Sequence, residues 1–284
     1  MNHKKKFPFV SVIFLAMIVV GCVCANLFIP YDPLYCDLAN QNHSPNHQFL
    51  FGTDSMGRDV FSMIWYGGRV SLFIGLLATV CSTVIAIIYG GLSGFSNDRF
   101  DAIYMRILDM ILSVPSILLL LFLQGILKND SPSSIGISIG VTSWCSMAKV
   151  VRSEVRQLRN ATYVLYANKL GAGFFYLLRV HFLPNVIPSL LYMMIMNVGS
   201  AIASEATLSF LGIGLPIEEV SWGTLLSNAN QALLTNEWWL IIVPGIFLTT
   251  TILCMVSIAM YYKQEVYTKC SNLPRENRIR KGEK

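Results

Sequence analysis

Residues Val70 to Asn97 read VSLFIGLLATVCSTVIAIIYGGLSGFSN, a run of 28 positions without a Lys, Arg, Asp or Glu. As a helix rising about 1.5 Å per residue, such a run is about 42 Å long. That exceeds the roughly 30 Å hydrocarbon thickness of a bilayer. Five more uncharged runs accompany it: Phe7 to Tyr31, Met110 to Leu127, Ser131 to Ala148, Val180 to Ser204 and Trp238 to Tyr262, each of at least 18 residues. Buried helices of water-soluble proteins do not leave six such runs in one chain. The reading is an all-α polytopic membrane protein with six transmembrane helices, the third kinked at Pro115. Arg106 and Asp109 before the third run, and Lys149 after the fourth, sit where their side chains reach the membrane surface.

Composition agrees. Of 284 residues, 54% are hydrophobic and 13% charged, with a mean hydropathy of +0.55, where a soluble domain carries roughly 25% charge. Disorder and a single soluble enzyme core are both excluded. The net charge of +5 is explained by where the basic residues fall. Before the first span, between the second and third, between the fourth and fifth, and after the sixth there are 3, 2, 6 and 7 Lys and Arg, or 18 in all. The opposite side holds three: Arg58, Arg69 and Lys128. Basic loops stay inside, so both termini and the segment 149–184 are expected in the cytoplasm of a multi-pass protein of the inner membrane. A nucleic-acid patch does not fit this distribution.

No G-x-x-x-x-G-K-[ST], H-E-x-x-H or C-x-x-C occurs, and the one G-x-S-x-G, Gly136 to Gly140, lies inside the fourth uncharged run instead of at a strand-to-helix turn. No cofactor or catalytic residue is expected. Of seven cysteines, only Cys36 falls on the outer side, without a partner for a disulfide. His43 and His47 stand four apart among Asn and Pro and read as loop polarity. Lys4-Lys5-Lys6 followed by an apolar run resembles a leader, but a retained first helix fits the length better. Ionisable groups in or near the spans are few. Asp109 lies three residues after Arg106 and pairs with it or marks a pathway; Glu205, late in the fifth span, is expected half solvated near the outer face.

The stretch from Lys149 to Pro184 is too long for a turn and too apolar for a plain loop. Arg152, Arg156 and Arg159 recur at helical spacing. Tyr163-Val164-Leu165-Tyr166-Ala167-Asn168-Lys169-Leu170 then leads to a break at Gly171, followed by Phe174-Phe175-Tyr176-Leu177-Leu178. That many aromatics need a surface to cover them, either a docked protein or lipid.

The spacing beyond that break resembles the cytoplasmic loop of permease subunits of binding-protein-dependent ABC importers, in the branch handling dipeptides, oligopeptides and nickel. There the loop reads E-A-A, three residues, Gly, nine residues, I-x-L-P, and here Gly171 is followed at that distance by His181-Phe182-Leu183-Pro184. Trp144 to Leu158, through Ala148, Val151 and Arg152, resembles the family's preceding W-x-x-x-A-R-x-V-R run. Asp101 to Pro115, through Met105, Arg106 and Asp109, resembles its D-x-x-x-M-R-x-x-D segment. Gly52-Thr53-Asp54-Ser55-Met56-Gly57-Arg58-Asp59 followed by Tyr66-Gly67-Gly68-Arg69 resembles the signature of the C-type subunit, as do Glu205 to Gly214 and Ser221-Trp222-Gly223.

The resemblance implies a type I ABC importer transmembrane domain over 67–262, preceded by a terminal segment, 1–66, that holds the first helix and an extracytoplasmic stretch. A basic tail, 263–284, follows. It also implies partners: a homologous permease, two cytoplasmic ATPase subunits, an extracytoplasmic substrate-binding protein and surrounding lipid. The implied coupling loop comprises Tyr163, Leu165, Tyr166, Ala167, Gly171, Phe174, Leu183 and Pro184. Leu165, Tyr166 and Ala167 stand where the family has E-A-A, so docking is expected to rest on apolar burial. The implied cargo is a di- or oligopeptide, with nickel or a metal chelate as the alternative. An ion-coupled secondary carrier is the reading left open by the residues alone.

Overall fold

A computed structural model of the chain describes residues 7–127, 129–173, 176, 178–216, 218–228, 232 and 235–271. Within the helices, the side chains of 163, 165, 168, 178, 181, 183–185 and 265–271 are left undescribed. Lys4, Lys5, Lys6, Lys128, Phe174 and the tail beyond 271 lie outside the described residues. Ten α-helices are bounded among them: α1 Phe9–Val23, α2 Val60–Phe95, α3 Asp98–Ser113, α4 Ser116–Leu127, α5 Pro132–Ser143, α6 Cys145–Arg159, α7 Thr162–Lys169, α8 Leu183–Phe210, α9 Trp222–Ser227 and α10 Trp239–Ser271. The described residues hold no strand, only a single bridge between Thr53 and Asp59.

Three helices, α2, α8 and α10, are each long and apolar enough to cross a bilayer. The third and fourth runs are broken pairs, α3 with α4 bent by 86° and α5 with α6 bent by 48°. A kink at Pro115 was expected; instead Pro115 ends one helix and precedes the next. Proline pushes the residue before it out of the helical region, and Val114 sits at φ −90°, ψ 131°. α3 carries five charged residues among sixteen, on one face of an amphipathic helix. It is unsuited to crossing, and α4 takes the apolar part of the run. The second break follows Thr142, whose hydroxyl donates to the Ser138 and Ile139 carbonyls and competes with the helix ladder. α1 is 15 residues, apolar but short for a span.

Helix α2 forms the spine, packing against α5, α6 and α8, while α8 and α10 pack together and α1 lies on α2 and α10. The outer face of α2 presents Phe73, Leu76, Val80, Val84, Ile88 and Leu92, an apolar stripe at helical spacing suited to lipid. Among lipid-embedded helices, close approach and interhelical hydrogen bonds replace the hydrophobic drive. A Cβ on Gly90 would lie 2.5 Å from the Ala148 carbonyl oxygen, so glycine there lets α2 and α6 touch. Asn197 of α8 donates to Ser82 Oγ at 2.8 Å on α2. Three apolar clusters result. One joins α1, α2, α8, α9 and α10 around Trp222 and Trp239; one lies among α2, α4, α5 and α8; the third holds α6, α7 and the start of α8 through Val155, Val164, Phe182 and Val186.

Candidate functional site

The candidate coupling loop begins with α6, whose inward face carries Ala148, Val151, Val155 and Leu158. Its other face carries the arginines, and they do more than mark topology. Arg152 Nε donates to Asp101 Oδ1 at 2.9 Å, a second Arg152 nitrogen bonds Asp101 Oδ2, and Arg156 bridges Asp101 and Asp98. Ser93 Oγ completes the set at 2.7 Å. Arg159 Nη1 donates to the Phe95 and Ser96 carbonyls at the end of α2. Hydrogen bonding from the Arg152 guanidinium holds the Asp101 carboxyl below the usual carboxylate range, opposed by burial and aided by Ser93 and the Arg152 and Arg156 charges. The same contact raises the Arg152 guanidinium. α2, α3 and α6 are thus tied into one block.

Arg152 was expected at the site, whereas Asp101 and Arg156 were not assigned to it. The signal was present, since Arg152, Arg156 and Arg159 share one helical face and Asp98 and Asp101 share another. Of the two readings of Asp109, a pair with Arg106 or a pathway role, the pair with Arg106 is not formed: Asp109 pairs with Lys149 of α6 at 2.8 Å, and Arg106 is exposed with no ion pair among the described residues. A partner on a crossing helix satisfies Asp109 and also links α3 to α6.

From this block α7 projects. Val164 is buried and Ala161 and Ala167 are packed against the same cluster, while Tyr166 is 65% and Leu170 88% exposed. Gly171 has φ +84° and ends the helix, with Ala172 N donating to the Ala167 carbonyl oxygen at 3.0 Å. This six-to-one bond after a left-handed residue is a Schellman stop. The chain turns away there and leaves an apolar knob at the turn. Tyr163 and Leu165 lie in α7, and Leu183 and Pro184 open α8; their side chains are not described. Leu170 was missed as a site residue because an apolar side chain near a helix end reads as core.

At the other end, the predicted signature folds into a tight loop over the start of α2. Gly52 and Gly57 have φ +76° and +73°, and a Cβ on Gly57 would fall 1.8 Å from the Asp37 carbonyl oxygen. Asp54 Oδ1 accepts from the Met56 and Arg58 amides, and its Oδ2 from Arg58 Nε at 2.8 Å. Asp59 caps α2 through Ser62 N at 3.0 Å. Trp239 Nε1 donates to the Thr53 carbonyl oxygen at 3.1 Å, pinning the loop to α10. Arg69 Nη2 donates to the Val23 carbonyl oxygen at 2.8 Å and so closes the end of α1.

Glu205 was expected half solvated. Instead it is 0% exposed. Ser221 Oγ donates to its Oε1 at 2.7 Å, Ser209 Oγ to the same oxygen at 3.0 Å, and Ser71 Oγ to Oε2 at 3.2 Å. Trp222 N donates to Ser71 Oγ and Trp222 Nε1 to the Ile64 carbonyl oxygen at 3.0 Å. α2, α8 and α9 therefore meet on one carboxyl group. Among the described residues no cluster of three His, Cys, Asp or Glu could hold a metal ion.

Long apolar helices tied together by polar contacts, with an exposed knob on a charge-braced block, define a helical membrane protein. Residues 82–266 match the family described as the binding-protein-dependent transport system inner membrane component, and the chain belongs to that family. It is thus a multi-pass permease subunit of an ABC importer in the inner membrane, a family that works with ATPase subunits and a binding protein. Among relatives, the dipeptide transport system permease protein DppC of Bacillus subtilis is 34% identical over 87% of this chain and 77% of its own length. The oligopeptide transport system permease protein OppC of the same organism is 39% identical, over 87% and 81%. The fold is similar to a solved structure of the MetNI methionine ABC transporter in an inward-facing conformation, with TM-score 0.53 and 15% identity, covering 71% of this chain and 94% of that one.

Proposed function

We propose that the chain forms, with a homologous permease, the path by which an ATP-driven importer carries di- or oligopeptides. The observation that carries this reading is the identity of 34–39% to permeases named for dipeptide and oligopeptide transport. Nickel or a metal chelate is the weaker option, because those relatives' names speak of peptides. Of the two cytoplasmic ATPase subunits, one docks on the α7 knob of this chain, where Tyr166, Leu170 and Gly171 offer an apolar surface, and the other on the homologous permease, while an extracytoplasmic binding protein delivers cargo to the loop over α2. Closure of the ATPases draws the two permeases' knobs together. The brace of Asp98 and Asp101 with Arg152 and Arg156 passes that movement from α6 to α2, which opens the path outward. Both termini lie in the cytoplasm, and 67–262 is the transport domain, with 1–66 adding the first helix and the outer loop.

The test is reconstitution of the chain in proteoliposomes with a homologous permease, ATPase subunits and a binding protein. Labelled peptide should accumulate only with ATP inside the ATPase compartment and be indifferent to ionophores. Uptake driven by an ion gradient without ATPases would establish a secondary carrier instead, and ATP-driven uptake of nickel but not peptide would reassign the cargo.

A further inference from the structure

The loop over α2 places a buried arginine beside a cavity and leaves its strongest donors unused. The Arg58 side chain is 8% exposed, and its ion pair with Asp54 is made through Nε. Among the described residues nothing accepts a hydrogen bond from the two terminal nitrogens of Arg58. Both Asp54 oxygens are already engaged, Oδ1 by two backbone amides and Oδ2 by that Nε. Arg58 lines a cavity of about 50 Å³ with Met63 of α2, Val220, and Thr224, Ser227 and Asn228 at α9. The Thr224 hydroxyl is committed to capping α9 and the Ser227 hydroxyl donates to the Thr224 carbonyl oxygen at 2.7 Å. The Asn228 side chain makes no hydrogen bond among the described residues, so the cavity is lined by an arginine and an asparagine that both have uncommitted side-chain donors.

The terminal nitrogens of Arg58 are not among the sealed, unpartnered side-chain atoms of the described residues, so they open onto accessible space, and an arginine fork is shaped for the two oxygens of a carboxylate. One water needs roughly 10–15 Å³ of such space, so a cavity of this size takes the three heavy atoms of a carboxylate and little more. Because Asp54 neutralises Arg58, selection here comes from hydrogen-bond geometry more than from net charge.

We propose that this cavity is a carboxylate-binding site, and that during transport it receives the free α-carboxylate of a peptide. The first clause stands on the cavity; the second rests on the peptide reading given above. Such a site would hold the cargo's tail at the mouth of the path while the rest of the chain enters.

The full chain in lipid nanodiscs should bind carbon-13-labelled acetate, read by line broadening and by a saturable rise in unfolding temperature over sodium chloride of equal ionic strength. Two variants test the location. Arg58→Gln made together with Asp54→Asn removes the pair without leaving a buried charge unmatched. Ser227→Leu fills the cavity and leaves the ion pair in place. Each should weaken acetate binding by about tenfold or more. Dialanine should displace the acetate, and dialanine amide should not. An equal response to chloride and acetate, or full acetate binding in the Ser227→Leu variant, would overturn the site. Acetate binding that neither dipeptide displaces would overturn the peptide occupant. Failure of reconstituted peptide uptake with acetate binding intact would count against the peptide reading and leave the carboxylate site standing.

Discussion

Glu205 shows how far a single residue's role can depend on partners remote in sequence. Its place in a run from Glu205 to Gly214 was legible, but its burial was not, because Ser71 stands 134 positions away and Ser221 lies on a different element. Glu205→Leu removes the acceptor for three hydroxyls and should destabilise the protein by about 1–3 kcal/mol or more, while Glu205→Gln keeps the volume and one acceptor and should cost less than about 1 kcal/mol. Thermal unfolding of both variants in nanodiscs decides this; equal losses would mean that the hydroxyl contacts do not hold α9 in place. Asp101 gives a prediction with a pH sign. Its folded carboxyl is held below the usual range by Arg152, so the contact stabilises the fold above the unfolded carboxyl's value and is lost as pH falls through the folded one. The stability difference between the natural chain and Asp101→Asn should be constant near neutral pH and shrink once the pH drops below about 4. A difference that stays flat down to pH 3 would remove Asp101 from the brace.

The element that carries most of the proposed mechanism is the α7 knob, and the sequence disclosed its outline better than its surface. Gly171 could be placed at a break because apolar segments flank it, and the left-handed turn with its Schellman bond follows from that residue type. What could not be read is which apolar side chains face inward. Nothing in a row of apolar letters separates Val164 from Tyr166 by burial, yet Val164 is buried and Tyr166, named for the coupling loop by resemblance, is exposed, since Val164 packs in the cluster of Phe182 and Val186. The same limit applies to the third run, where Pro115 announced a disturbance but not a turn of 86°. Gly171→Val should strain the turn by about 1 kcal/mol or more and lower transport while leaving the permease folded. Leu170→Ala should weaken ATPase association, by up to about 1.5–3 kcal/mol if the side chain is fully covered in the complex. Because no acidic residue stands at the expected loop position, association should change little between low and high salt. Pull-down of the ATPases and substrate-stimulated ATP hydrolysis at both salt levels are the measurements. If Leu170→Ala and Gly171→Val leave both readouts and uptake unaltered, α7 is not where the ATPases couple.

At the scale of the whole molecule, the spans were legible because bilayer thickness dictates long uncharged runs, and three of them are single long helices while two are bent pairs. The ties between spans were not legible, since they depend on lone hydroxyls and amides such as Ser82 and Asn197 that carry no periodic signal. Orientation depends on neither. Counting Lys and Arg puts 18 on one side and three on the other, and the difference holds if α1 is drawn as a short span or the third run is limited to α4. The two outer arginines are also engaged locally: Arg58 is paired with Asp54, and Arg69 closes the α1 carboxyl end, so neither is a free surface charge competing for the inside. A reporter fused after Lys169 or at the carboxyl terminus should therefore read cytoplasmic, and one inserted near Asn46 or Glu219 should read outside. Alkaline phosphatase and green fluorescent protein fusions at the four positions give opposite signals for the two faces. An outside reading at Lys169 would place α7 away from any cytoplasmic ATPase, and the proposed coupling could not operate however well the knob is formed.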